Sequence, residues 1–196
     1  MKERSEIGVY GQELNKESLL RHCEKRTEHR NDACMLFWTL GGNQVGKSAI
    51  NGWKNVLIPN IDEIGIWPFD GNLADLFSNH HCIVAETYPG EAYSHLGIPP
   101  KNKIPWSKRK IKGRRFCVPY IEAWLKNRSN IEDSDVLAIL RNGFGDSSYG
   151  EDQFDSFCGL LSMLDVVDGR RPEGVPNDET ITRWEGWILG QASAQI

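Results

Sequence analysis

The chain has 196 residues, enough for one domain that buries about 70 per cent of the surface its unfolded form would expose. A hydrophobic fraction of 39%, a charged fraction of 26% and a mean hydropathy of -0.48 describe a soluble globular protein. No apolar run approaches a membrane span, the first thirty residues are too polar for a secretory signal, and five scattered cysteines exclude a disulfide framework, so a cytoplasmic location is expected.

Residues 1–32 carry many charges and only weak helical spacing around Leu14 to Lys25. They read as a polar leader, partly helical or frayed, ahead of a domain over 33–196. From Ala33 the texture is α/β. The apolar run 34–40 predicts a strand, followed by a glycine turn and a helix over 49–58 with apolar positions at Ile50, Trp53, Val56 and Leu57. A short strand at 64–67 is stopped by Pro68, Asp70-Gly71 makes a turn, and a short helix is expected near 73–77. The β-branched run 82–85 ends at Glu86, and Pro89 prevents its continuation; parallel strands buried on both faces read this way. Helices follow at about 118–127, 133–141 and 152–167. The last is the clearest, with Phe154, Phe157, Cys158, Leu161 and Leu164 on one face and Gly169 and Pro172 beyond its end. A loop over 170–178 leads to a tail, 181–189, expected to pack as a helix.

Gly41 to Ser48 fits the phosphate-loop pattern G-x-x-x-x-G-K-[ST] letter for letter. Backbone N–H groups of such a loop cradle phosphates, Lys47 would reach the outer ones, and Ser48 would hold Mg²⁺. Ile83-Val84-Ala85-Glu86 suits a metal-holding strand of the same machinery, so a phosphate-loop NTPase stands as one alternative, set against the ease with which four fixed letters in eight arise by chance. His80-His81-Cys82, and His22-Cys23 with His29, lack a second ligand pair at zinc spacing and read as a polar lead-in to a strand.

Charge is unevenly spread. Between Lys101 and Arg115 stand eight basic residues and no acid, leaving fifteen basic against twenty-seven acidic residues elsewhere. Such a cluster attracts phosphate backbones by counterion release, with Trp106 available to stack on a base, or it is simply a solvated loop. Carboxylates that converge hold Mg²⁺ or Mn²⁺ for phosphoryl chemistry. Glu86 ends the best strand, and Asp152 and Asp155 lie three apart at the start of the best helix, with Gly159 one turn on to allow close packing. Each alone has a plainer role: Asp152 opposing the helix dipole, Asp155 a surface acid, Glu86 a turn cap, and Asp70 a turn residue.

Five ordered segments within residues 20–191 carry a resemblance that joins these features. Phe37 to Lys47, Trp67-Pro68-Phe69-Asp70-Gly71, Ala85 to Tyr93, Gly150-Glu151-Asp152-Gln153-Phe154-Asp155 and Glu185 to Gly190 resemble successive motifs of the family described as domain of unknown function 429, assigned to the RNase H-like superfamily of predicted nucleases. The resemblance implies an α/β, RNase H-like mixed sheet flanked by helices, with Glu86, Asp152 and Asp155 as catalytic and metal-binding residues for Mg²⁺ or Mn²⁺. Lys108, Arg109, Lys110, Arg114 and Arg115 would grip the nucleic-acid backbone. The glycine-rich segment then becomes a family turn. One departure matters: nothing in residues 1–32 looks like an apolar strand ending in the first catalytic Asp of such enzymes. The fold implied is N-terminally truncated, and a partner chain or second copy completing the sheet, or a non-catalytic nucleic-acid-binding remnant, follows from that loss.

Overall fold

A computed structural model of the chain describes residues 16–36, 38–39, 45–101, 103–128 and 134–193. It is helix-rich α/β, with a small parallel sheet. Short 3₁₀ turns at Lys16–Leu19 and His22–Glu24 precede α1 (Val45–Gly52), which runs on through a π turn (Trp53–Leu57) and a 3₁₀ turn (Ile58–Asn60). Then come β1 (Ile64–Ile66), α2 (Leu73–Asn79), β2 (Cys82–Val84), α3 (Pro89–His95), α4 (Ile111–Lys126), α5 (Ser134–Arg141), α6 (Gly150–Val167) and a π turn at Ile181–Glu185. The chain divides into two compact units, Met1–Glu86 with Val175–Ile196, and Thr87–Gly174.

In the first unit β1 and β2 pair in parallel, Ile64 against Cys82 and Ile66 against Val84. β1 is buried throughout, whereas Cys82 is exposed and Ile83 and Val84 are half-buried, so the expected burial on both faces holds for one strand only. Gly65 is required by the helix above it: a Cβ there would sit 2.9 Å from the Leu76 side chain. Asn72 caps α2 by accepting from the Asp75 N–H at 2.9 Å, and Asp70 accepts from the Ile66 N–H at 2.7 Å, which makes Asp70 a turn residue. The C-terminal segment adds a third edge: Ile188 bridges Glu86 in parallel, and the Leu189 N–H donates to the Glu86 carbonyl at 2.9 Å. The expected helix over 181–189 is therefore one turn followed by an extended edge.

Two more expectations change in this unit. Among the described residues of 34–40, none is in a strand; the Leu36 N–H instead goes to the buried Glu24 carboxylate at 2.7 Å, which takes the backbone out of sheet pairing. Within the segment read as leader, Leu20, Cys23 and Glu24 are buried and the Arg30 guanidinium ties the Cys23 carbonyl (2.7 Å) to Gln191 (2.9 Å). Residues 14 and 15, part of the weak helical signal, lie outside the described residues. The apolar positions of α1 and its π turn are not core either, with Ile50 48% and Val56 58% exposed.

The second unit is helical. α3 packs on α6 and α4 on α5, around Tyr93, Cys117, Ile121, Trp124, Phe154 and Leu161. α6 carries the apolar stripe its sequence predicts. α4 begins seven residues before its expected start, taking in Lys112, Arg114 and Arg115; their charges masked the helical spacing of Cys117, Val118, Ile121 and Leu125. Its first turn is locked by Gly113, where a Cβ would lie 2.1 Å from the Ser107 carbonyl oxygen. α5 lacks only Asp133 of its expected span, which lies outside the described residues.

Candidate functional site

Glu86 is placed by the strand that precedes it. As the residue two beyond β2, its backbone is fixed by the Ile188 bridge, and its carboxylate points to Arg21. The contact is bidentate, Nη2 to Oε1 at 2.7 Å and Nη1 to Oε2 at 2.8 Å. Arg21 is itself held: Nε donates to Glu24 at 3.0 Å and Nη1 to the Glu185 carbonyl at 3.1 Å. Burial works against the guanidinium charge, but the Glu86 hydrogen bonds and charge outweigh it, so the Arg21 pKa is raised. The neighbouring Glu185 carboxylate takes the His22 N–H at 2.7 Å and the His22 Nδ1 at 3.0 Å.

This ion pair forms one wall of a cavity of about 600 Å³, whose other walls include Trp53, Trp67, Phe69 and Trp184. Neither Arg21 nor the cavity was legible in sequence. Arg21 stands 65 residues from its partner, in a segment read as leader, and the tryptophans are scattered over the whole chain.

In the second unit, α6 presents Asp155 to two donors. Tyr93 on α3 donates its hydroxyl to Oδ1, and the Lys108 ammonium donates to Oδ2. Lys108 also meets Glu151 Oε1 at 3.3 Å, and Arg109 approaches Glu151 Oε2 at 3.8 Å. Burial, then the Asp155 charge, push the Tyr93 pKa up, so the phenol stays a donor. Burial alone would depress Lys108, yet its bonds to Asp155 raise its pKa; Lys101, an exposed residue whose ammonium lies 4.6 Å from the Trp106 ring centroid, has its pKa lowered by partial desolvation and by the Lys108 charge. Asp152 is exposed, one turn before Asp155. At Gly159 the close neighbour is the Thr87 side chain, 3.1 Å from where a Cβ would be.

The five expected phosphate-gripping residues divide. Arg109, Lys110 and Arg115 are exposed. Lys108 is engaged by Asp155. Arg114 is 2% exposed, and its guanidinium donates to the carbonyls of Gly143 (2.7 Å), Lys108 (2.6 Å) and Gly145 (2.6 Å). It is a structural tie between loops, and phosphate contact has to come from its neighbours.

Glu86, Asp152 and Asp155 are hard oxygen donors suited to Mg²⁺ or Mn²⁺. Their charge balance is not: both Glu86 oxygens are taken by Arg21 and both Asp155 oxygens by Tyr93 and Lys108. Among the described residues of either unit no group of three or more His, Cys, Asp or Glu side chains gathers as metal ligands. Paired as they are within each unit, the residues do not fit an ion. Of the phosphate-loop segment, Gly41 to Gln44 lie outside the described residues; Lys47 and Ser48 are exposed on α1, and the Gly46 N–H is already given to the Trp38 carbonyl at 2.9 Å. No described helix is long and apolar enough to cross a membrane. No family model, no curated protein and no solved structure matches the chain.

Proposed function

We propose that the chain binds nucleic-acid backbones through the basic face of its 87–174 unit, and that it descends from RNase H-like metal-dependent nucleases. One observation supports this reading: the basic segment from Lys101 to Arg115 and the acidic start of α6, far apart in sequence, share one surface through Lys108 and Arg109. Exposed cations of that segment, among the described residues, include Lys103, Lys110, Lys112 and Arg115, the last also donating to the Asn142 side-chain oxygen at 2.9 Å, with Arg109 beside Glu151. Five such contacts to duplex phosphates give a slope of about -4.5 for log K against log salt. Fluorescence anisotropy of labelled single- and double-stranded oligonucleotides checks it. Replacing Lys110, Lys112 and Arg115 by alanine should flatten the slope by about one unit each, and binding indifferent to salt would sink the proposal.

A second reading, hydrolysis with Mg²⁺ or Mn²⁺ at Asp152 and Asp155, is favoured by their placement one turn apart on α6, with Lys108 alongside. It requires Asp155 to exchange Lys108 for an ion. Cleavage of the bound oligonucleotide with Mn²⁺ that disappears in Asp155→Asn supports it; binding without cleavage in either protein leaves the first reading alone.

A further inference from the structure

Five of the seven tryptophans belong to the first unit, and Trp53, Trp67, Trp184 and Trp187 all line its cavity. At about 600 Å³ the cavity falls within the range of small-molecule sites, roughly 300–1,000 Å³. Trp184 is 72% exposed, an unusual position for an indole, with the Arg183 guanidinium 5.3 Å from its ring centroid. Among the described lining residues the charged ones are Arg21, Glu86 and Glu185, and the Glu185 carboxylate is held by His22. A guanidinium has five N–H groups, and Nη2 carries a second one beyond that given to Glu86; the Glu86 carboxylate, 35% exposed, keeps lone pairs beyond those used by Arg21. A donor and an acceptor therefore stand side by side in the wall of a cavity that four tryptophans also line.

We propose that this cavity binds a nucleobase-type heteroaromatic ring, its face on tryptophan and its donor–acceptor edge on Arg21 and Glu86. The charge balance selects against phosphates and other anions, because the single positive charge of Arg21 lies between the carboxylates of Glu24 and Glu86. A quaternary ammonium, the other usual guest of tryptophan-lined sites, has no use for the guanidinium donor and leaves it unmatched. An uncharged planar ring with a polar edge suits both the tryptophans and the donor–acceptor pair. The inference stands on the first unit alone and does not rest on the phosphate-contacting surface of the second.

Calorimetric titration of the full chain with adenosine, guanosine, cytidine, uridine and thymidine tests it, with indole and choline as controls and a single-stranded oligonucleotide as a further arm. At least one nucleoside should bind at one site at least tenfold more tightly than indole or choline. Trp184→Ala, which removes an exposed ring, should weaken it by roughly 5- to 150-fold, the range for loss of base stacking. Glu86→Gln should weaken it about tenfold. Thermal melting of both variants establishes that they fold. If only the oligonucleotide binds, and loses affinity in Trp184→Ala but not in Lys110→Ala, the ring is a base presented by a strand. Indole or choline binding as tightly as every nucleoside, or both variants titrating like the parent, overturns the proposal, as does a failure of nucleosides and oligonucleotide alike to bind at this cavity.

Discussion

Burial, aided by nearby carboxylates, holds the Cys23 thiol at a pKa of about 12; burial does the same for Cys117 and pushes Cys158 well up. A thiol reacts as its thiolate, so alkylation at neutral pH should label Cys82, which is exposed, and then Cys34, long before the other three. Peptide mass spectrometry after brief iodoacetamide treatment reads this directly; early modification of Cys117 would contradict the burial. The same shifts set a pH dependence. The unfolded chain ionises its thiols near pH 8.5, while the folded one keeps Cys23 and Cys117 protonated to about 12, so the native state holds more protons and stability falls as the pH rises through that window. Lys108 acts higher still. Its folded pKa is raised, so its contribution is complete below the ordinary lysine value of about 10.4 and is lost only as the pH climbs past it. Urea midpoints between pH 7 and 10 should decline, and removing the thiols of Cys23 and Cys117 by substitution to Ala should flatten that decline.

Elements in this chain end or begin where a single backbone contact decides. Gly113 lies in the first turn of α4, where alanine would ordinarily strengthen a helix by up to about 1 kcal/mol. Here the Ser107 carbonyl occupies the site of the missing Cβ, so Gly113→Ala should instead destabilise by about 1–3 kcal/mol, measured as a lowered urea midpoint with unchanged slope. An unchanged midpoint would mean that the 107–110 turn yields freely. The same scale explains what sequence pattern could and could not reveal. α6 was legible because Phe154, Cys158 and Leu161 are core residues at helical spacing, and β1 and β2 because Ile64, Ile66, Ile83 and Val84 favour strands. The run from Cys34 was misleading because its apolar residues attract a strand reading, whereas a buried carboxylate twelve residues earlier claims the Leu36 N–H. The α4 start was hidden because Arg114 is buried through its hydrogen bonds, something no hydrophobic pattern encodes. Likewise Glu86 and Asp155 were visible as candidates, while their partners Arg21, Tyr93 and Lys108 emerge only when distant elements meet.

At the scale of the whole molecule, two compact units in one chain predict that unfolding is not a single cooperative event. Trp38, Trp53, Trp67, Trp184 and Trp187 report on the first unit, while the long helices α4 and α6 belong to the second. Guanidinium titration followed by tryptophan emission and by far-ultraviolet circular dichroism should give transitions that do not coincide; superimposable curves would show one cooperative body.

The second unit is an insertion, since the chain leaves the first at Glu86 and re-enters it at Val175. During synthesis from the N-terminus, β1, β2 and Glu86 therefore emerge without the edge they need, and the whole of 87–174 is made before Ile188 and Leu189 arrive to pair with Glu86. Residues 175–193 act as a closing clasp, and until they are made Trp67 and the Arg21–Glu86 pair wait in an unfinished half.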